Sequence, residues 1–87
     1  MKIAVYDTYV TKKDGNVMHF DIIVPTTIND PSVIYNYGKE YLKSKGLKDV
    51  SLSSRECKFC HIENLKHEWE THIKQKGYYI YEIENCN

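Results

Sequence analysis

Three cysteines and one histidine are the side chains of this sequence whose types and spacing could do chemistry. Cys57 and Cys60 are separated by two residues, His61 follows directly, and Cys86 is the penultimate residue. Two cysteines at this spacing can bind one Zn²⁺ ion through their thiolates when the chain between them turns tightly. Because zinc usually takes four ligands, the remaining positions could be filled from Cys86, His61, His67 and His19. The sequence predicts a metal site, with zinc as the candidate ion, formed by Cys57, Cys60 and Cys86, with His61 as the candidate fourth ligand.

Three other interpretations of the C-x-x-C-H motif stay open. A thiol-redox protein could use Cys57 as the nucleophile and Cys60 as the resolving thiol, because a following helix would lower the thiol pKa. The motif is also the attachment signature of c-type haem, although covalent attachment normally follows export and the N-terminal residues do not resemble a signal peptide. Finally, all three cysteines could be buried thiols without chemistry, since free cysteine is among the most buried residue types.

A second candidate group is polar and comes from the N-terminal part of the chain: Asp7, Tyr9, His19 and Asp21. These residues share one face if the first 24 residues form a β-hairpin with Asp7 opposite Asp21. A histidine beside carboxylates can act as a general base or bind a divalent metal ion. The simpler interpretation, which the sequence favours, is a solvated outer face of an antiparallel sheet. Apolar residues on the same face predict partial cover by a helix or another subunit: Ile3, Val5 and Ile23.

The elements that would position these groups begin with that hairpin. Residues 3–10 and 17–24 alternate with period two and are rich in β-branched and aromatic side chains, which predicts two strands. A three-residue loop with Gly15 at positive φ would connect them. In this register most of the apolar side chains fall on one face, so we expect that face to be core.

A helix is predicted after the hairpin. Asp30 is a good N-cap, Pro31 suits the first helical position, and Gly46 ends the helix. Its apolar stripe follows helical spacing and contains Ile34, Tyr37, Gly38, Tyr41 and Leu42. Residues 47–52 could form a short third strand.

The C-terminal part predicts a second helix and a last strand. The helix begins near residue 62 or 64, directly after the cysteine motif, and ends at Lys76 with Gly77 following it. Residues 78–84 read as a strand. The predicted fold is therefore α+β in the order ββαβαβ, with two helices packed on a mostly antiparallel sheet that starts with a hairpin.

Length and charge limit the classes of function. We expect one α+β domain over residues 1–87, because so short a chain has no room for a second core. Twelve basic residues balance twelve acidic ones, which argues against nucleic-acid or anionic-membrane partners. Zero net charge and eight tyrosines favour self-association, so a homo-oligomer is the expected partner. The chain lacks a run of ~20 apolar residues, so we expect a cytoplasmic protein without a membrane span.

Several short motifs together resemble the family called domain of unknown function 2024. They are Val5-Tyr6-Asp7-Thr8, Asp14-Gly15, Met18-His19-Phe20-Asp21, Val24-Pro25, Cys57-x-Phe59-Cys60-His61, and Gly77-Tyr78-x-Ile80-Tyr81 ahead of Cys86. The resemblance covers nearly the whole chain and implies a small bacterial α+β protein, but it implies no activity. We therefore expect a metal- or thiol-site protein rather than an enzyme, or alternatively an interaction module or homodimer with structural cysteines.

Overall fold

The computed structural model describes residues 1–48 and 50–86, which form four strands and two helices. The elements are β1 Lys2–Thr11, β2 Val17–Pro25, α1 Pro31–Ser44, β3 Cys57–Asn64, α2 His67–Lys76 and β4 Tyr79–Glu84. All pairings are antiparallel and the strand order is β3-β1-β2-β4, so β3 and β4 are the edges of the sheet. The predicted α+β fold in the order ββαβαβ is confirmed.

The hairpin of β1 and β2 has the predicted register. Asp7 lies opposite Asp21, and the backbone N–H of Lys12 donates to the carbonyl of Asn16 over 2.8 Å to close the loop. Gly15 has φ +90°, a left-handed conformation that glycine adopts without the steric cost of a Cβ. The loop therefore determines which side chains of the two strands share a face.

Helices cover the two faces of the sheet. On the core face, α1 buries Ile34 and Leu42 against Phe20 and Ile22. On the opposite face, which we call the outer face, α2 packs Trp69 and Ile73 against three buried apolar residues of β1 and β2: Ile3, Val5 and Ile23. The predicted partial cover of the outer face is thus provided by a helix. None of the described helices is long and apolar enough to cross a membrane.

Local signals explain where α1 begins and how closely it packs. The Asp30 carboxylate accepts a hydrogen bond from the backbone N–H of Ser32 over 3.0 Å, as expected for an N-cap. A Cβ added at Gly38 would lie 2.5 Å from Leu52 Cδ1 and 3.0 Å from Ile22 Cδ1. Glycine at this position therefore lets the helix approach the sheet and the buried Leu52 of the following loop.

The predicted third strand is in the wrong place. Residues 47, 48 and 50–52 are not in a strand, and residue 49 lies outside the described residues. The third strand is β3, which contains the cysteine motif, and α2 begins only at His67. The motif is therefore extended rather than a tight turn before a helix. The physical reason is that pairing with β2 leaves the opposite edge of β1 open, and residues 57–64 hydrogen-bond to that edge.

Candidate functional site

Three ionisable side chains converge on the end of the outer face that α2 leaves uncovered. They are Asp7 from β1 and His19 and Asp21 from β2, and one ligand atom of each lies within 4.8 Å of the other two. His19 Nε2 is 3.6 Å from Asp7 Oδ1 and 3.9 Å from Asp21 Oδ1. The hairpin register causes this convergence, because it places the two aspartates opposite each other and His19 two residues along the same face. We call these residues the Asp-His-Asp group.

Two atoms of the Asp-His-Asp group are buried without a partner. His19 Nε2 and Asp21 Oδ1 are inaccessible to solvent, and no hydrogen-bond partner for either is found among the described residues. The ring of Tyr9 stacks on the ring of His19, with centroids 4.1 Å apart, and shields it from one side. An unsatisfied buried polar atom costs about 1–3 kcal/mol, so this arrangement opposes folding unless something binds there.

The two carboxyl groups compete for one proton. Burial, together with the neighbouring Asp7 carboxyl group and its negative charge, raises the pKa of Asp21 to about 7. The neighbouring carboxyl group of Asp21 in turn lowers the pKa of Asp7. The pair therefore holds about one proton below neutral pH and loses it as the pH rises through about 7, in the manner of two close carboxylates that cannot both ionise freely. A divalent cation could replace that proton.

The neighbouring edge strand adds a second set of polar side chains. The pairing of β1 with β3 shifts by one residue, a β-bulge at Cys60. His61 Nδ1 lies 3.1 Å from Cys60 Sγ, and His61 Nε2 contacts the carboxylate of Glu63. Partial desolvation, together with the nearby Asp7 carboxylate, raises the pKa of the Cys60 thiol. Bulges often re-aim side chains beside functional sites, and here Cys60 reaches the margin of the Asp-His-Asp group.

Comparison with known proteins identifies the family of this chain. The profile of a family described as a domain of unknown function (DUF2024) matches residues 1–83. The chain belongs to the DUF2024 family. This DUF2024 chain is similar to the protein NE1680 from Nitrosomonas europaea, whose NMR structure shares 45% sequence identity over 100% of both chains with a TM-score of 0.85. A search of curated proteins gave no match.

The structure of the DUF2024 chain does not bring the three cysteines together. Cys57 is buried on the core face, whereas Cys60 is exposed. Cys86 is buried in the same core but near the opposite edge of the sheet, after β4, where its Sγ lies 3.4 Å from the carbonyl oxygen of His19 on β2. Cys57 lies in β3 and Cys86 follows β4, so β1 and β2 lie between them. Because neighbouring strands are about 4.8 Å apart, the two cysteine backbones are separated by roughly 14 Å. Of the predicted sulfur site, only Cys60 and His61 are neighbours.

The structure does bring together all four members of the polar group predicted from the sequence, Asp7, Tyr9, His19 and Asp21. It differs from the solvated face favoured above, since two of the polar atoms are buried. Sequence reasoning missed Glu63 and the approach of Cys60 to this group. Both depend on the bulge in β3, for which the sequence of the DUF2024 chain carries no clear signal.

Proposed function

We propose that this protein binds a divalent transition-metal ion, with zinc as the leading candidate, through the Asp-His-Asp group. The supporting observation is the convergence of two buried atoms, His19 Nε2 and Asp21 Oδ1, beside Asp7, where residues 1–48 and 50–86 offer neither atom a hydrogen-bond partner. Zinc lies about 2.0–2.2 Å from nitrogen and oxygen ligands, so tetrahedral ligand atoms are about 3.4 Å apart. The separations of 3.6 and 3.9 Å therefore need a contraction of about 0.5 Å or less.

The donor set indicates which ions would be preferred. Two carboxylates and an imidazole suit zinc and its first-row neighbours, whereas magnesium and calcium prefer oxygen ligands alone. A fourth position on the metal could be filled by water or by the thiolate of Cys60, which lies beside Asp7. Three protein ligands and one open position are the arrangement found in catalytic zinc sites.

A zinc titration tests this proposal. Isothermal titration of the reduced, chelator-treated protein should show one zinc ion per chain and much weaker binding of magnesium. His19→Ala should weaken zinc binding by about 100-fold or more, because it removes the nitrogen ligand. The matched control is His67→Ala, since His67 is exposed on α2. Wild-type affinity in the His19 variant, or an equal loss in the control, would contradict the proposal.

A thiol-redox function has less support in the geometry. Burial raises the pKa of Cys57, and partial desolvation together with Asp7 raises the pKa of Cys60. Both shifts lower the fraction of thiolate, which is the reactive form in redox exchange. In addition, the helix whose N-terminus was expected to activate the motif begins at His67, several residues away along the chain.

A further inference from the structure

We propose that two copies of this chain form a dimer by antiparallel pairing of their β3 strands. β3 spans eight residues without a proline, and its side away from β1 faces no other described strand. The backbone N–H and C=O groups along such an edge are a template for pairing with another strand. The order of the side chains along β3 identifies a second copy of β3 itself as that strand.

The β-bulge decides which side chains of β3 share a face. Opposite residues in an antiparallel pair point to the same face of the sheet. By their partners on β1, Lys58 and Glu63 lie on the outer face, and Phe59 and Ile62 lie on the core face. In a strand without a bulge, positions 58 and 63 would point to opposite faces, because their separation is odd. The extra residue at Cys60 brings each pair onto one face.

This pattern makes β3 complementary to itself. A two-fold axis between Cys60 and His61 pairs Lys58 with Glu63 of the partner subunit, and the symmetry repeats the contact. The same axis pairs Phe59 with Ile62 of the partner subunit. An interface of this kind, in which the same patch serves both subunits, is the usual form of a two-fold dimer. Opposite charges thus meet on one face of the joined sheet and apolar groups meet on the other.

The exposure of these side chains is consistent with an unpaired interface. Phe59 is 55% exposed and Ile62 is 56% exposed, and pairing would cover both in each subunit. Ion pairs near a surface select the register of an interface more than they add affinity. Because the contact is confined to one strand and its flanks, the dimer is weak and its population depends on protein concentration.

Dimer formation would also join the two candidate sites. Cys60 of one subunit lies beside Cys60 and His61 of the partner subunit at the axis. The two β1 strands, which carry Asp7, lie three strand spacings apart, or about 14 Å. In the dimer, the outer faces of the two sheets join through the paired β3 strands, so their polar ends form one continuous surface. The dimer does not require bound metal, so it can be tested with a chelator present.

Sedimentation equilibrium over a range of protein concentrations tests the proposal, in chelator and reducing agent. The wild type should dimerise, and Lys58→Glu and Glu63→Lys should each raise the dissociation constant about tenfold, because like charges then face each other. The double variant should recover the wild-type constant, because the charges are exchanged and still opposite. The control is Lys39→Glu, an exposed lysine on α1, which should leave the constant unchanged.

The outcomes separate clearly. A wild type that stays monomeric, single variants that dimerise normally, or a double variant that does not recover would each overturn the proposal. An equal effect of Lys39→Glu would also overturn it, because net charge would then explain the loss.

Cross-linking supplies a second readout. Cys60 is exposed whereas Cys57 and Cys86 are buried, so a short bis-maleimide should link native chains through Cys60. We expect a cross-linked dimer in the wild type, none in Cys60→Ser, and a smaller yield in Lys58→Glu. A yield that does not change in the Lys58 variant would place the contact elsewhere and overturn the register.

Discussion

The two ends of the outer face are built from the same two strands and differ in what covers them. At one end, α2 buries the apolar residues Ile3, Val5 and Ile23 beneath Trp69. At the other end, which α2 does not cover, the Asp-His-Asp group holds two buried atoms for which the described part of the chain supplies no hydrogen-bond partner. The covered end stabilises the fold through apolar burial, whereas the uncovered end costs stability. A polar group that the fold does not need is a candidate for function.

The largest effect should come from the covered end. Trp69 is 3% exposed, so Trp69→Ala should lower the free energy of unfolding by about 3–5 kcal/mol, through lost burial and the cavity left behind. Urea denaturation measures this change. Gln75→Ala, at an exposed position of the same helix, is the control and should change stability by about 0.5 kcal/mol or less. A small loss in the Trp69 variant would mean that α2 does not hold this end of the face.

The uncovered end should respond in the opposite way, with binding lost and the fold kept. Asp21→Asn replaces an anionic ligand by a neutral amide of similar shape, so the zinc affinity should fall by about 100-fold or more. A zinc titration at constant pH, with circular dichroism to verify folding, measures this. Asp14→Asn, in the exposed hairpin loop, should leave zinc affinity unchanged. Unchanged zinc binding in the Asp21 variant would remove this residue from the site.

Zinc binding should depend on pH, because zinc competes with the proton that the Asp7 and Asp21 carboxyl pair holds. Because the pKa of Asp21 is raised to about 7, zinc must displace a proton below that pH but not well above it. We expect zinc affinity to fall by about tenfold between pH 8 and pH 6 from this group alone, with any protonation of His19 adding to the loss. Titrations in two buffers of different ionisation enthalpy would count the released protons. An affinity that does not change over this range contradicts the pair as ligands.

The smallest predicted effect is a gain in stability of the metal-free protein. A folded-state pKa of about 7 for Asp21, above the unfolded value of about 3.9, means that the protonated form stabilises the fold. That contribution is complete below about pH 4 and is lost as the pH rises through about 7. Asp21→Asn keeps a neutral side chain, so it should exceed the wild type by about 1 kcal/mol at pH 8, after allowance for solvent screening.

Thermal unfolding of the Asp21 variant and the wild type between pH 4 and pH 8 measures that gain. The difference between them should widen with pH in favour of the variant. A difference that stays constant over this range would show that ionisation of Asp21 is not what costs stability.

Local signals explain how much of this fold the sequence could predict. The hairpin register follows from Gly15 and the alternation of the two strands, and α1 follows from its Asp30 cap. The strand β3 was missed because Ile62, together with Leu65 and Trp69, also fits helical spacing. Pairing with the free edge of β1 is a long-range contact that a local pattern cannot reveal.

The candidate site was predicted only in part, for a related reason. Register alone places Asp7 opposite Asp21, so the membership of the polar group could be read from the sequence. The burial of the atoms in this group could not be predicted from the sequence, because burial depends on how neighbouring side chains such as Tyr9 pack. The position of Cys60 depends on a bulge, which shifts one residue without a compositional signal.

The most direct test of the metal site is the ligand shell of bound zinc. X-ray absorption at the zinc edge of the stoichiometric complex should show a shell of nitrogen and oxygen at about 2.0–2.1 Å, with at most one sulfur. That is the shell expected from Asp7, His19 and Asp21, and its loss in the His19→Ala variant would place the ion there. A shell dominated by sulfur at about 2.3 Å, or a reduced protein that retains no stoichiometric zinc, would contradict it.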